Sequence, residues 1–300
     1  MLLNLAVPNS LKIAAYFLGT LFLGALLAPP LYWAGHAVAA WGPLHKLGEF
    51  EFRRYFDRAM LVAALVLLWP AVRALRVGSW RDLGLRPDGR RWRHLALGFA
   101  LAAGGLWLLG LGFVEMGWYG PRKVVPWGAM LGFLVAAAAV ACVEEGFFRG
   151  ALQGLVGRTA SAAGALVFVA ALFAVLHFLK PPEGAVDLGE IGWWSGFEYL
   201  PRVFWQWGDL RLVLGGLATL FAVGLVLGYA RWRTQALWLP VGLHAGWVFA
   251  LKSFSATTRH TAPNNLWIGE SLYYGLAPLA VVVLTGLLVA AGLRRETAAG

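Results

Sequence analysis

The chain has 300 residues, 60% of them hydrophobic and 13% charged, with a net charge of +10. A soluble domain carries roughly 25% charged residues, so this composition excludes an ordinary soluble protein and reads as a polytopic membrane protein. Arginines fall mainly between apolar segments, where they fix topology and meet anionic headgroups, which argues against nucleic acid as a partner, and the single Cys142 excludes an internal disulfide or a CxxC metal site.

A spanning helix needs about 20 largely apolar residues. The first candidate, Ala14 to Ala34, has no A-x-A-like cleavage site and runs beyond signal-peptide length, so a retained anchor is expected. The second is Phe56 to Val72, and the third is Leu95 to Val114. Between them lies the densest basic cluster, Arg73 to Arg93. The fourth starts near Val125 and is expected to run through Glu144 and Glu145 to Val156 as one long, tilted helix. Then come Ala160 to Phe178, Leu212 to Ala230, Ala236 to Ala250 with Pro240 inside it, and Leu272 to Leu293. The expected fold is therefore an all-α transmembrane bundle of about eight spanning helices.

Three regions follow: N-terminal helices and a basic loop (1–124), a core (125–252), and a loop with the last helix (253–300). An even number of spans puts both termini on one side. The basic cluster, Arg158, Arg231, Arg233, Arg294 and Arg295 place that side in the cytoplasm, with an inner membrane expected. The connection from Leu179 to Arg211 is too long for a tight turn. It mixes Asp187, Glu190, Glu198 and Asp209 with Trp193, Trp194, Phe197, Tyr199, Phe204, Trp205 and Trp207, a composition suited to the headgroup layer.

Carboxylates inside hydrocarbon are expensive and tend to be functional. Glu144 and Glu145 end the apolar run LGFLVAAAAVACV, and Glu145 and Arg149 are i,i+4 neighbours able to form an ion pair. Glu144 points about 100° away around the helix, free for another task. Of six histidines, only His177 and His244 lie within apolar runs, and Phe173 shares a helical face with His177. Helical rise puts Glu144, His177 and His244 at roughly 18, 26 and 12 Å from one membrane side, a spread that tilt can close. Glutamate with two histidines suits water activation, and it also suits a metal site or a proton relay. A structural charge knot with two interhelical histidines accounts for the same residues. The HExxH signature of helical zinc proteases is absent.

EEGFFR at Glu144 to Arg149, FAVLH at Phe173 to His177 and HAGWV from His244 occur in that order between about Val125 and Lys252. This set resembles the type II CAAX prenyl endopeptidase and bacteriocin-processing family of intramembrane proteases. The resemblance implies that Glu144 activates the attacking water, His177 holds or polarises it, and His244 binds water or stabilises the oxyanion. Glu145, Arg149 and Phe173 would support them. It implies endoproteolysis of a membrane-associated protein or peptide; ion-coupled transport and a noncatalytic immunity or interaction role are the alternatives. The family commonly has asparagine four residues after the last histidine, where this chain has Val248, which has no side-chain donor. Trp247, Asn264 and Asn265 are the candidate replacements. Glu144, His177 and His244 are also possible Zn2+ ligands, but the sequence offers no evident outer partner for each, so a glutamate mechanism without a cofactor is the expectation.

Overall fold

A computed structural model describes residues 9–75, 89–157, 160–179, 189–208, 210–263, 265–269 and 271–298. Most of the basic cluster between Arg73 and Arg93, together with Arg158, Asp187, Asp209 and Asn264, lies outside the described residues. The fold is all-α apart from one short strand pair. The helices are α1 (Asn9–Val38), α2 (Phe52–Ala74), α3 (Arg91–Glu115), α4 (Met130–Glu145), α5 (Gln153–Val156), α6 (Ala162–His177), α7 (Ser195–Tyr199), α8 (Leu210–Thr234), α9 (Trp238–Thr257) and α10 (Leu276–Ala298). Strands β1 (Tyr119–Pro121) and β2 (Thr258–His260) pair antiparallel, joining the chain beyond α3 to the end of α9.

Six helices among the described residues are long and apolar enough to cross a membrane. They are Leu11–Val38, Phe52–Ala74, Arg91–Glu115, Trp127–Val156, Val213–Thr234 and Leu276–Arg294. The expectation of eight is not reached by this measure, and the other two candidates are α6 and α9. Helix α6 has 16 residues, or about 24 Å of rise, short of a hydrocarbon core about 30 Å thick. Helix α9 carries His244, Lys252, Ser253, Ser255 and Thr257 in its 20 residues, which interrupts its apolar run.

The chain divides into two compact units, 1–78 with 178–208, and 79–177 with 209–300. In the first, α1 and α2 pack together around Ala28, Phe56 and Ala59. The long connection contributes α7 and a 3-10 stretch, Leu200–Gly208, whose Tyr199 and Val203 complete that core. Trp193, Trp194, Phe204 and Trp205 stay exposed, in keeping with the headgroup-layer composition of this segment.

The second unit is built around α9, which packs along α3 and against α4. Small residues permit the approach: a Cβ on Gly246 would lie 2.6 Å from the Phe99 carbonyl oxygen. Gly242, Gly246 and the fully buried Ala250 recur every fourth residue on this face, the spacing that brings membrane helices into backbone contact. This contact turns His244, two residues beyond Gly242, toward α4.

Candidate active site

The fourth apolar segment does run helically through both glutamates, but not as a uniform α-helix. After Glu145 the backbone widens into a π-helix over Gly146–Leu152 before the α turn of α5. Such π segments recur at functional sites and were not foreseen from the sequence. Arg149 lies inside this segment and is 1% exposed. Its Nη1 donates to Glu145 Oε1 at 2.9 Å, and its Nη2 donates to the Gly224 carbonyl of α8 at 3.4 Å. The guanidinium stacks over the Phe173 ring, with its carbon 4.4 Å from the centroid. The expected Glu145–Arg149 ion pair is therefore present and fully enclosed.

The two histidines meet the two glutamates in different ways. His244 Nδ1–H donates to Glu145 Oε1 at 2.7 Å. His177 Nδ1–H donates to the Phe173 carbonyl at 2.7 Å. A carbonyl only accepts, so His177 Nδ1 must carry the hydrogen; a carboxylate partner imposes the same tautomer on His244. Both rings then turn Nε2 toward Glu144, whose Oε2 lies 3.6 Å from His177 Nε2 and 3.9 Å from His244 Nε2. These separations exceed direct hydrogen bonds. Glu144 Oε2 makes no hydrogen bond of its own. The Glu144 side chain is 28% exposed, although its Oε2 is buried, and that of Glu145 is 0% exposed, so one side chain is partly open and the other sealed.

All six residues singled out in the sequence thus converge, and the roughly 14 Å spread of estimated depths closes to contact range. The Phe173 ring stacks obliquely on His177 with centroids 4.2 Å apart and meets His244 edge-on at 6.0 Å. The bond from His244 to Glu145 was missed, as were Gly224, Phe148 and Gln153. Phe148 packs edge-to-face on Phe173, and Gln153 Nε2 donates to the Gly228 carbonyl at 3.0 Å. The i,i+4 repeat Glu145, Arg149, Gln153 was the available signal for the last of these.

The expectation that the histidines lack outer partners is corrected: the Phe173 carbonyl and Glu145 fill that role. These are the partners that metal-bound histidines use, so the donor chemistry suits zinc. The spacing does not match it, since no group of three His, Cys, Asp or Glu among the described residues is placed to hold a metal ion. Val248 is partly exposed on α9, while Trp247 is buried and its indole N–H has no partner. Asn265 is engaged in its own turn, accepting from the Trp267 and Ile268 amides.

No curated protein and no solved structure matches the chain. A family model, type II CAAX prenyl endopeptidase Rce1-like, matches residues 126–250. That stretch contains Glu144, Glu145, Arg149, Phe173, His177 and His244. Over residues 126–250 this integral membrane chain is therefore similar to the Rce1-like type II CAAX prenyl endopeptidases, a family of membrane proteases.

Proposed function

We propose that the protein is an intramembrane endopeptidase in which Glu144 is the general base and His177 and His244 position the attacking water. The observation that carries this reading is the convergence of both Nε2 atoms on the carboxylate of the partly exposed Glu144 side chain. A water at that carboxylate donates one hydrogen to Glu144, and an imidazole lone pair accepts the other. Its oxygen adds to the scissile carbonyl carbon while Glu144 takes the proton. The tetrahedral intermediate collapses as Glu144 returns that proton to the leaving nitrogen, breaking the C–N bond and releasing a carboxylate and an amine. Every step uses a group of the chain and water.

Glu145 holds His244 in the tautomer whose Nε2 lone pair faces Glu144. Trp247 is the oxyanion donor in this reading, supported by its buried, unpartnered N–H one turn from His244. The substrate is a membrane-associated protein or peptide, and the site sits in an inner membrane with both chain termini cytoplasmic.

The test compares wild type with Glu144→Gln in native-like lipid against a diverse membrane-peptide library, with products read by mass spectrometry and a parallel melt confirming folding. Removing a general base is expected to slow cleavage by about 10²–10⁴-fold with the melt preserved. Equal cleavage by both proteins would sink Glu144 as the base.

A further inference from the structure

Glu145, Arg149 and Gln153 follow one another at a spacing of four, which sets three polar side chains along one strip of an apolar segment. The first two already serve the site, and Gln153 has no part in the proposed chemistry. Its side chain is buried, and its Oε1 has no hydrogen-bond partner. A half-satisfied buried amide carries a desolvation cost that an apolar side chain of similar size avoids. Burial energy alone does not account for a glutamine here.

Two bonds give Gln153 a role. Its backbone N–H donates to the Phe148 carbonyl five residues back and so closes the last turn of the π segment. Its side-chain Nε2 donates to the Gly228 carbonyl of α8 at 3.0 Å. One turn earlier on both helices, Arg149 Nη2 reaches the Gly224 carbonyl at 3.4 Å. These are two rungs between the same pair of helices, spaced by four residues on each side. The Gln153 rung has an ordinary length, whereas the Arg149 rung is longer than the usual range for N–H···O. The firmer rung therefore sets the register, and Arg149 is placed by it. Glycine on α8 lets the rungs close. A Cβ on Gly224 would lie 2.8 Å from the Ala170 Cα, and one on Gly228 would lie 3.1 Å from Gln153 Oε1. From Arg149 the contacts lead into the site: its Nη1 donates to Glu145 Oε1, which also accepts from His244 Nδ1. Phe148, whose carbonyl Gln153 binds, packs on Phe173 beside both histidines.

We propose that Gln153 is a positioning residue, which pins the end of the π segment to α8 and, through Arg149 and Glu145, fixes the ring of His244. Two turns beyond Glu145, it is too far along the helix to touch the reacting water. Its loss therefore acts on kcat and leaves KM in place. The effect on cleavage rests on the reading of Glu144 as general base; the effect on the His244 ring does not.

The test uses the full chain in native-like lipid as wild type, Gln153→Met, Gly228→Ala and Leu155→Ala, each melted to confirm folding. Methionine keeps the length and loses both hydrogen-bonding groups, and alanine at 228 disturbs the same rung from the α8 side. Leu155→Ala removes buried apolar volume two residues along and is the packing control. Nitrogen NMR of isotope-labelled histidine reads the His244 tautomer, its signals assigned by their loss in His244→Ala. Cleavage of one peptide taken from the library products gives kcat and KM. The wild-type ring should carry its hydrogen on Nδ1. Gln153→Met should mix in the other tautomer and lower kcat about 10–100-fold at unchanged KM, since a misplacement of about 1 Å from a distant change can cost about 100-fold. Gly228→Ala should move both readouts the same way by less. Leu155→Ala should lower the melting temperature with the His244 signals in place. Unchanged His244 signals in the folded rung variants, or an equal shift in Leu155→Ala, would overturn the positioning role whether or not any peptide is cleaved. So would an unchanged kcat in Gln153→Met where wild type cleaves. The expected tautomer shift without cleavage by wild type would support the positioning of His244 and count against the protease reading.

Discussion

Glu144 and Glu145 are adjacent in sequence and opposite in circumstance. Glu145 is sealed from solvent, holding Arg149 and His244 on a single oxygen. Glu144 is partly open, makes no hydrogen bond through Oε2, and faces two imidazoles at 3.6 and 3.9 Å. One helix step of about 100° separates the two fates. The difference teaches that a pair of charges in a membrane helix need not be one functional unit. The sealed carboxylate fixes geometry, and the open one has room to exchange a proton.

The comparison can be broken from the sealed side first. Arg149→Met leaves Glu145 buried without its cation, and removing one partner of a buried ion pair costs about 3–5 kcal/mol. Reversible unfolding in lipid or mild detergent should show that loss. The double variant Glu145→Gln with Arg149→Met should recover part of it, because neither charge is then left alone. A smaller effect is expected from Phe173→Leu, which removes the aromatic face beneath Arg149 and beside both histidines. A desolvated cation–π contact is worth up to about 2 kcal/mol, so stability should fall by no more than that. Cleavage should fall too, through looser imidazoles, and steady-state rates beside the melt check both. Least of all, treatment with a tight chelator followed by gel filtration should leave cleavage unchanged if, as proposed, Glu144 itself takes the proton. Loss on chelation with recovery on added zinc would reassign Glu144, His177 and His244 as metal ligands.

Much of this site was legible because its key relations are local or chemically distinctive. Glu145 with Arg149, and Phe173 with His177, are i,i+4 pairs whose geometry follows from helical pitch. His177 and His244 stood out against apolar runs. What the sequence concealed depends on how separate helices register. The contact between His244 and Glu145 joins residues 99 apart, and no pattern within either helix encodes it. Gly224 contributes a backbone carbonyl, which every residue possesses. The π segment after Glu145 likewise carries no clear mark in a run of apolar letters. The helical fold was plain from hydropathy, whereas the span count was not. Helix α6 is apolar but short, and α9 holds His244 and four further polar residues near its end.

The central claim is that neighbouring carboxylates divide structure from chemistry, and parallel measurements on Glu144→Gln and Glu145→Gln test it most directly. Each variant is assayed in the same lipid for cleavage rate by mass spectrometry and for unfolding free energy. The account predicts that Glu144→Gln loses cleavage with its stability kept, while Glu145→Gln is clearly destabilised and loses activity in step with the displaced His244. A Glu144→Gln protein that still cleaves, or a Glu145→Gln protein as stable and active as wild type, would contradict it.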